Sequence, residues 1–409
     1  MKKKKLEGDL TEDKKIKFNL IEVIIIMIIT SICSITLSIM VSYTMNKTSN
    51  KIKVRNDLSE LIDTYETITD EYYTDVDKKA LIASAIEAMV GQLDDPYSLY
   101  LDEKESKSFA EDLSGKYVGI GVKIKNDNNK ILIVEVFKDG PSDKVGIKEG
   151  DKIIAVDGKE IKTADINNVP NLIKGEKGTK VKLQIERASE KLDFEVLRSS
   201  VDIESVTYKT ITNNDKKIGL VSIDSFAANT TEQFKKVSEK FKNDSIEGII
   251  IDLRGNTGGY LSSAEAIASM FVKKGAIIYQ LSSKNKTKKI LNEKEPSINL
   301  KTVVLTNSST ASASEILTAA LKENLGSEVV GTKTYGKGKV QKLKKLTDGS
   351  TIKYTIENWL TPLGDEIDNK GIEPTFLVEL DKEYIKNPEE KNDNQLKKAL
   401  EMFGNKTQK

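Results

Sequence analysis

The sequence predicts an α/β protein in which a layered core follows a smaller β-domain, with helical N- and C-terminal flanks and one N-terminal transmembrane helix. Three observations predict this arrangement. Apolar runs typical of buried strands alternate with helical patterns from Ile218 to about Thr375. Shorter alternating strands, separated by Gly and Pro turns, fill residues 115–198. An uncharged apolar run occupies Val23–Thr44.

The apolar run is long enough to cross a membrane. Twenty-two helical residues, at about 1.5 Å each, span a hydrocarbon core of roughly 30 Å. Seven lysines precede the run, including Lys2–Lys5, which favours a cytoplasmic N-terminus and an outward-facing remainder. The alternative is a cleaved signal peptide, but this run is longer than a typical h-region and lacks an A-x-A-like site. We therefore expect a cytoplasmic basic segment (1–22), an uncleaved anchor (23–44) and a linker (45–56).

Both flanks of the folded part have helical patterns. In the N-terminal helical region, residues 57–114, Leu58, Leu61 and Ile62 follow the spacing of one helix face. The C-terminal tail, residues 377–409, contains an amphipathic segment at Asp393–Phe403. The apolar helix faces of the two flanks suggest that the chain associates with a second copy of itself.

The β-domain is predicted from short strands and one strong turn. Lys130–Phe137 and Val181–Ile185 are typical of strands, and Gly150–Gly158 ends in an Asp-Gly hairpin signal. With Tyr117–Val122 and Pro141–Ile147, this segment resembles a PDZ domain. A PDZ domain adds a peptide strand to its sheet and binds a C-terminal carboxylate on backbone N–H groups.

The candidate carboxylate-binding loop contains Gly119, Ile120 and Gly121. A loop of small residues can turn several N–H groups toward one point, as a carboxylate requires. The alternative is a tight turn in a small β-domain. The PDZ resemblance favours peptide binding.

The composition excludes several kinds of site. The 64 Lys and Arg residues nearly balance 63 Asp and Glu residues, giving a net charge of +1. Because no basic block lies outside the N-terminus, we expect no nucleic-acid partner. The chain has no histidine, which rules out a Ser-His-Asp triad and argues against catalytic zinc. The single cysteine, Cys33, rules out intrachain disulfides.

Ser312 is the candidate nucleophile. It lies in Ser-Thr-Ala-Ser-Ala-Ser-Glu (Ser309–Glu315), directly before a predicted helix, Ala313–Leu325. The simplest alternative is a capping box, because Ser312-x-x-Glu315 precedes an apolar run. At a strand-to-helix turn, however, the serine hydroxyl is exposed at the sheet edge, beside a helix N-terminus that favours negative charge.

Lys337 is the candidate base. A serine needs a base to take its proton, and without histidine the remaining strong base is a lysine kept neutral by burial. Neutrality near pH 7 requires the lysine pKa to fall by roughly three units, or about 4 kcal/mol. Lys337 differs from a solvated surface lysine in lying between Gly336 and Gly338. Gln341 could fix the amine through a hydrogen bond, or could be a surface amide.

The stretch Asp252–Gly259 is a candidate source of oxyanion donors. A glycine pair after a buried strand can turn N–H groups into a cleft, where they stabilise a tetrahedral intermediate. The alternative is a sharp strand-to-helix connection.

Several motifs occur in a fixed order along the chain. Leu93–Ser98 comes first, and the PDZ segment follows it. Asp252–Gly259, Ser312–Ile316, Gly336–Gln341 and Gly371–Pro374 come next. Together these motifs resemble the carboxyl-terminal processing proteases, also called tail-specific proteases, over nearly everything after the anchor.

The resemblance implies a serine peptidase without cofactor or metal, and it points to dimers. The family's nucleophile falls on Ser312, its lysine base on Lys337 and the glutamine that positions the lysine on Gln341. Its oxyanion donors fall on the backbone of Ala313 and of the Gly258–Gly259 pair. The implied architecture is a layered α/β protease core (200–376) with an inserted PDZ β-domain (115–199).

Some positions depart from the family pattern. Lys174 stands in the PDZ stretch where members often carry arginine, so it keeps the charge but not the bidentate geometry. The other departures remove no reactive group; they are Thr257, Thr310, Tyr335, Trp359 and Leu363.

We therefore expect a membrane-anchored serine endopeptidase, single-pass in the cell membrane, with its catalytic part on the extracytoplasmic side. Its partners would be protein substrates with exposed apolar C-termini, and a second copy of the chain. One alternative is a catalytically silent PDZ scaffold that binds partner tails. Another is a different enzyme on the same core, since related layered α/β folds bind acyl-thioesters.

Overall fold

A computed structural model of the chain describes residues 19–127, 130–161, 168–284 and 286–404, without the side chains of residues 22, 26 and 41–57. The chain divides into two compact units, Met1–Ala85 and Ile86–Lys409, and each is described by itself.

The first unit is helical. It contains α1 (Leu20–Asp57), α2 (Ser59–Glu71) and the start of α3 (Lys78–Gly91). The stretch Val23–Met40 of α1 is exposed and has a mean hydropathy of 2.6, so one helix of the described residues could cross a membrane. Such a helix near the N-terminus fits an anchor or a signal sequence. The predicted linker, residues 45–56, lies inside α1, where the helix continues through the expected polar tether.

The second unit begins with a short strand, a helix and a small β-domain. Their elements are β1 (Leu99–Leu101), α4 (Glu103–Ser114), β2 (Lys116–Gly119), β3 (Val122–Asp127), β4 (Lys130–Val136), α5 (Pro141–Lys144), β5 (Lys152–Val156), β6 (Lys159–Glu160), α6 (Val169–Ile173), β7 (Lys180–Arg187), β8 (Glu190–Leu197) and β9 (Ser199–Asp202).

The β-domain has the sheet order β3-β4-β5-β7-β8, with β6 beside β5. Alternating apolar residues of these strands form its core, with Ile133, Ile185 and Val196 fully buried. The antiparallel ribbon of β2 and β9 carries the chain into and out of this domain. The predicted small β-domain is therefore confirmed.

The rest of the second unit alternates strands and helices. Its elements are β10 (Val206–Asn213), β11 (Lys216–Ile223), α7 (Thr230–Asn243), β12 (Gly248–Asp252), α8 (Leu261–Ala268), β13 (Ile277–Ser283), β14 (Lys286–Leu291), β15 (Lys301–Thr306), α9 (Ala313–Leu325), β16 (Glu328–Gly331), β17 (Lys339–Lys345), β18 (Thr351–Leu360), β19 (Phe376–Leu377), α10 (Lys382–Lys386) and α11 (Asn394–Glu401).

The central sheet has the order β10-β11-β12-β15-β16-β19, parallel except for β10. Its middle strands are continuous apolar runs because both faces are covered. Residues such as Ile249 and Ile251 pack with α7, α8 and α9, whereas Ile250 and Val303 pack with α11. The loops that follow β12, β15 and β16 leave the same edge of the sheet, the usual place for a site in such folds.

A second sheet, which the sequence did not predict, lies in the same unit. Its order is β1-β18-β13-β14, and β17 pairs with the other side of β18. This sheet supplies Gln341 on β17 and Trp359 on β18 to the surroundings of Lys337.

Candidate active site

Ser312 lies at the turn between the loop after β15 and the first residue of α9. Its backbone has φ 58° and ψ −118°, a left-handed conformation that a residue with a Cβ rarely adopts. The Ser312 N–H donates to the Glu315 carboxylate at 2.8 Å. The half-buried side chain thus occupies a strained strand-to-helix turn, as serine nucleophiles of several α/β hydrolases do.

The Glu315 carboxylate connects this turn to the loop that carries Lys337. It is fully buried and accepts four hydrogen bonds. One oxygen accepts from the Thr334 hydroxyl (2.6 Å) and the Gly336 N–H (2.7 Å). The other accepts from the N–H groups of Ser312 (2.8 Å) and Lys337 (2.9 Å). A single buried carboxylate therefore fixes the backbone of both candidate catalytic residues.

The two glycines that flank Lys337 are required by close packing. Gly336 has φ 88°, and a Cβ there would lie 2.8 Å from the Gly371 nitrogen. A Cβ at Gly338 would lie 2.6 Å from the Asp368 nitrogen. The motif that contains Gly371 thus supports the lysine loop.

The Trp359 indole holds the same loop from the second sheet. Its Nε1–H donates to the Lys337 carbonyl oxygen at 2.8 Å, and its backbone N–H donates to the Gly338 carbonyl at 2.9 Å. Trp359 is 1% exposed. The backbone of Lys337 is therefore held from both sides, by Glu315 and by Trp359.

The Lys337 amine has the properties of a base. Burial, with a smaller contribution from the charge of Lys353, lowers the pKa of Lys337 to about 8, although Asp95 and Glu315 act in the opposite direction. Its Nζ lies 4.8 Å from the centroid of the Tyr97 ring. Within the described residues, no hydrogen bond joins this amine to Ser312 Oγ. Hydrogen bonds between catalytic groups are often long or unformed in unliganded sites.

Among the described residues, no hydrogen bond joins Gln341 to the Lys337 amine. Gln341 lies opposite Thr355 in the β17–β18 pairing, and its Nε2 is 3.4 Å from the Thr355 hydroxyl. The predicted bond from Gln341 to the amine is therefore not made here.

The Gly258–Gly259 loop lies directly against Ser312. A Cβ at Gly258 would come within 2.8 Å of the Ser312 Cβ, so only glycine permits this approach. The Gly258 N–H already donates to Asn256 Oδ1 at 2.8 Å. By contrast, no hydrogen-bond partner of the Gly259 or Ala313 N–H is found within the described ranges. Of the predicted oxyanion donors, these two N–H groups have no internal acceptor.

Arg254, in the same motif, stabilises this loop through ion pairs. Its guanidinium is bidentate to Asp252 (2.6 and 2.9 Å) and also bonds to Asp393 of the C-terminal tail (2.8 Å). Burial lowers the pKa of Arg254, but the hydrogen bonds and charges of Asp252 and Asp393 raise it by more, so the guanidinium stays charged. The C-terminal tail thereby contributes to the placement of the Gly258–Gly259 loop.

The predicted carboxylate-binding loop of the β-domain is formed by the end of β2. Ile120 is buried, and Gly121 has φ 73°. The Tyr117 ring lies over this loop, since a Cβ at Gly119 would be 2.6 Å from Tyr117 Cε2. Burial raises the pKa of Tyr117, while backbone hydrogen bonds of Val122 and Gly121 oppose that rise. The N–H groups that would hold a carboxylate therefore face a side chain of the domain itself.

The Lys174 side chain contacts α4 and the Tyr117 ring. It forms a 3.0 Å ion pair with Glu111 of α4, and its Nζ is 5.7 Å from the Tyr117 ring centroid. The position that often carries arginine in the family thus ties α6 to the helix that precedes the β-domain.

Sequence reasoning considered Glu315 only as a capping partner and Trp359 only as a departure from the family. It gave no role to Tyr97, although the surrounding motif, Leu93–Ser98, was recognised. The sequence signal that could have revealed Glu315 is an acidic residue among small and hydroxyl residues, because a buried carboxylate needs several hydrogen-bond donors. Among the described residues, no group of three or more Asp, Glu, Cys or His side chains could hold a metal.

Three family models match the chain. The model described as Peptidase family S41 matches residues 217–378, and a PDZ domain model matches residues 118–197. The model described as Activating protease CtpB N-terminal domain matches residues 32–105.

Curated relatives and a solved structure agree with these matches. The chain is 40% identical over 326 residues to the carboxy-terminal processing protease CtpA of Bacillus subtilis (strain 168), covering 79% of this chain and 69% of that protein. It is 35% identical over 379 residues to a probable CtpA-like serine protease of Staphylococcus haemolyticus (strain JCSC1435), covering 91% and 75%.

The crystal structure of a putative S41 protease from Bacteroides fragilis NCTC 9343 shares the fold. Its TM-score is 0.51 at 19% identity, with 81% of this chain and 98% of that chain covered. The resemblance predicted from the motifs is thus confirmed. The chain belongs to the carboxy-terminal processing proteases of peptidase family S41 and is a serine-type peptidase.

Proposed function

We propose that this peptidase is a membrane-anchored endopeptidase that cleaves with a Ser312–Lys337 dyad and selects substrates by their C-termini through its PDZ domain. The observation that carries the proposal is the Glu315 carboxylate. It binds the backbone of a strained serine and of a buried lysine at one edge of the parallel sheet.

The proposed reaction is acyl transfer to serine. The neutral Lys337 amine takes the proton of Ser312 Oγ as this oxygen attacks the substrate carbonyl carbon. The oxyanion that forms accepts hydrogen bonds from the N–H groups of Gly259 and Ala313. The Lys337 ammonium then returns the proton to the leaving amine as the C–N bond breaks. A water molecule, deprotonated by the same lysine, then attacks the acyl-enzyme. The Lys337 ammonium returns this proton to Ser312 Oγ as the ester C–O bond breaks, which frees Ser312 and the carboxylic acid product.

Gln341 remains a proposed positioning residue. Its proposed role requires the amide to leave Thr355 and bond to the Lys337 amine. Gly258 is the close-packed residue that brings Gly259 to the serine.

The anchor proposal rests on the exposed apolar stretch Val23–Met40 and on the lysines that precede it. The chain would be single-pass in the cell membrane, with residues 57–409 on the extracytoplasmic side. Cleavage of the C-terminal tail by trypsin added to intact cells tests this orientation, and a protected tail contradicts it. The proposed homodimer is tested by sedimentation of the full chain in detergent, where a monomer contradicts it.

Tail recognition predicts that cleavage depends on a free, apolar C-terminus. The full chain in nanodiscs should truncate an unstructured protein ending in small apolar residues, and mass spectrometry identifies the products. The same substrate ending in a carboxamide should be cleaved at least about tenfold more slowly, because it lacks the carboxylate that would replace the Tyr117 phenol on the loop N–H groups. Equal cleavage of both substrates contradicts tail recognition. Binding without any cleavage favours the silent scaffold, and turnover of an acyl-thioester instead of the peptide favours the different enzyme.

Cleavage should also rise with pH, with a midpoint near pH 8. Only the neutral amine accepts the serine proton, and the pKa of Lys337 is about 8, so about 1% of the base is active at pH 6 and half at pH 8. The pH profile of kcat/KM reports this group in the free enzyme. Lys353→Met removes a neighbouring positive charge and should move the midpoint upward. A flat profile between pH 6 and 9.5 contradicts the assignment of the base.

A further inference from the structure

The turn that follows α3 is fixed against β18 next to the lysine loop. The Asp95 carboxylate accepts hydrogen bonds from the Ser98 hydroxyl (2.6 Å) and the Tyr97 N–H (3.1 Å). The Ser98 oxygen in turn accepts the N–H of Thr355 at 3.1 Å. Strand β1 then pairs with β18 on the side opposite β17. The position of Tyr97 is therefore determined by the same strand that faces Gln341 and carries Trp359.

This placement brings the face of the Tyr97 ring to the Lys337 amine, 4.8 Å from the ring centroid. Cations within about 6 Å of such a centroid are attracted by the negative face of the ring. Burial, followed by the neighbouring phenol of Tyr335, raises the pKa of Tyr97 to about 12, so the ring stays neutral through the working pH range.

No carboxylate forms an ion pair with Lys337 among the described residues. Glu315 is the nearest buried acid of α9, but its two oxygens are already occupied by four other donors. Asp95 is engaged by Ser98 and the Tyr97 N–H, and Lys353 of β18 repels the amine. Among the described residues, the Tyr97 ring thus provides an attractive contact with the amine, while Asp95 and Glu315 act on it through their charges.

We infer that Tyr97 is a positioning residue of the dyad, whose ring face stabilises the ammonium that forms on Lys337 when Ser312 gives up its proton. This inference rests on the proposed role of Lys337 as base. The base must be neutral at rest and charged in the transition state. An aromatic ring suits both states, because it excludes water from the amine and attracts the cation once it forms. In a Ser-His-Asp triad, the aspartate likewise stabilises the imidazolium that forms on the histidine.

The test changes the electrostatics of the ring without changing its shape. In the full chain in nanodiscs, Tyr97→Phe keeps the ring face and should retain kcat within about twofold. Pentafluorophenylalanine at position 97 reverses the ring quadrupole. At about pH 9.5, where the resting amine is neutral, kcat should therefore fall about 2- to 30-fold with KM unchanged. The matched control is the same pair of substitutions at Tyr100 of β1, a half-buried tyrosine with no such contact to Lys337. An equal loss for Phe and pentafluorophenylalanine at position 97 overturns the inference.

A second readout does not depend on turnover. In the Ser312→Ala background, the rate at which Lys337 is acetylated by acetic anhydride, followed by mass spectrometry across pH, gives the titration midpoint of the amine. Pentafluorophenylalanine should lower this midpoint by about 0.4–1.5 pH units relative to Phe. An unchanged midpoint overturns the inference. Cleavage that survives in Lys337→Met would instead overturn the assignment of Lys337 as the base. The titration midpoint of Lys337 in the Ser312→Ala background would still show whether the ring stabilises the ammonium.

Discussion

Ser312→Ala and Lys337→Met should each reduce peptide cleavage by about 10⁴- to 10⁶-fold, and the double variant should be no worse than either. The losses are equal and non-additive because the oxygen cannot attack unless the lysine takes its proton, so either change removes the same step. The measurement is kcat on a quenched peptide with a free apolar C-terminus. Cleavage that persists in Ser312→Ala would move the nucleophile elsewhere.

The two variants differ in stability, which separates a lost reactive group from a lost fold. The folded-state pKa of Lys337, about 8, lies below its unfolded value, so protonation opposes folding at every pH below 8. This cost declines as pH rises above 8 and disappears near the unfolded-state pKa of about 10.4. Lys337→Met removes it. We expect this inactive variant to be more stable at pH 7 by about 1–3 kcal/mol, after allowance for partial exposure.

The matched control is Lys339→Met. Lys339 lies two residues further along and forms a 3.2 Å ion pair with Asp368 instead of contacting Tyr97. Its replacement should leave kcat nearly unchanged and should not raise the melting temperature. A stabilised Lys339→Met, or a destabilised Lys337→Met, would contradict the account of Lys337 as a lysine held in an unfavourable environment.

Four parallel strands of the central sheet, β11, β12, β15 and β16, could be predicted from the sequence because each has a local signature. Continuous apolar runs such as Gly248–Leu253 leave few alternatives to a strand buried on both faces. The helix predicted at Ala313–Leu325 has those bounds in the structure, and Gly326 ends it with φ 64°. The Ser-x-x-Glu pattern and the final glycine are local signals, so they needed no tertiary information.

The second sheet was not predicted, because it pairs strands that lie far apart in sequence, such as β1 and β13 with β18. Strand β17 contains Lys339, Lys342, Lys344 and Lys345, and it lies at a sheet edge where lysine discourages further pairing. The contacts of Trp359 and Tyr97 with Lys337 depend on this sheet and join residues far apart in sequence. Motifs predicted the candidate reactive groups, whereas the groups that contact them required the fold.

Glu315→Gln should destabilise the protein by about 2–4 kcal/mol and lower kcat by about 10²-fold. The amide keeps one acceptor oxygen but directs an NH2 group at donors such as the N–H groups of Ser312 and Lys337. Two buried donors then face another donor and lose their acceptor. Because the carboxylate holds both loops, its loss displaces the serine relative to the lysine, and small displacements of reacting groups are costly.

Glu323→Gln provides the matched control on the same helix. The Glu323 carboxylate accepts a hydrogen bond from the Leu363 N–H at 2.8 Å, but it is half-buried and distant in sequence from the serine turn. Its replacement should cost under about 1 kcal/mol and leave kcat within about twofold. Thermal unfolding and single-turnover cleavage separate the two effects of Glu315→Gln. Normal single-turnover rates in a folded Glu315→Gln would mean that the two loops keep their positions without the carboxylate, and that Trp359 and the glycine packing suffice to place Lys337.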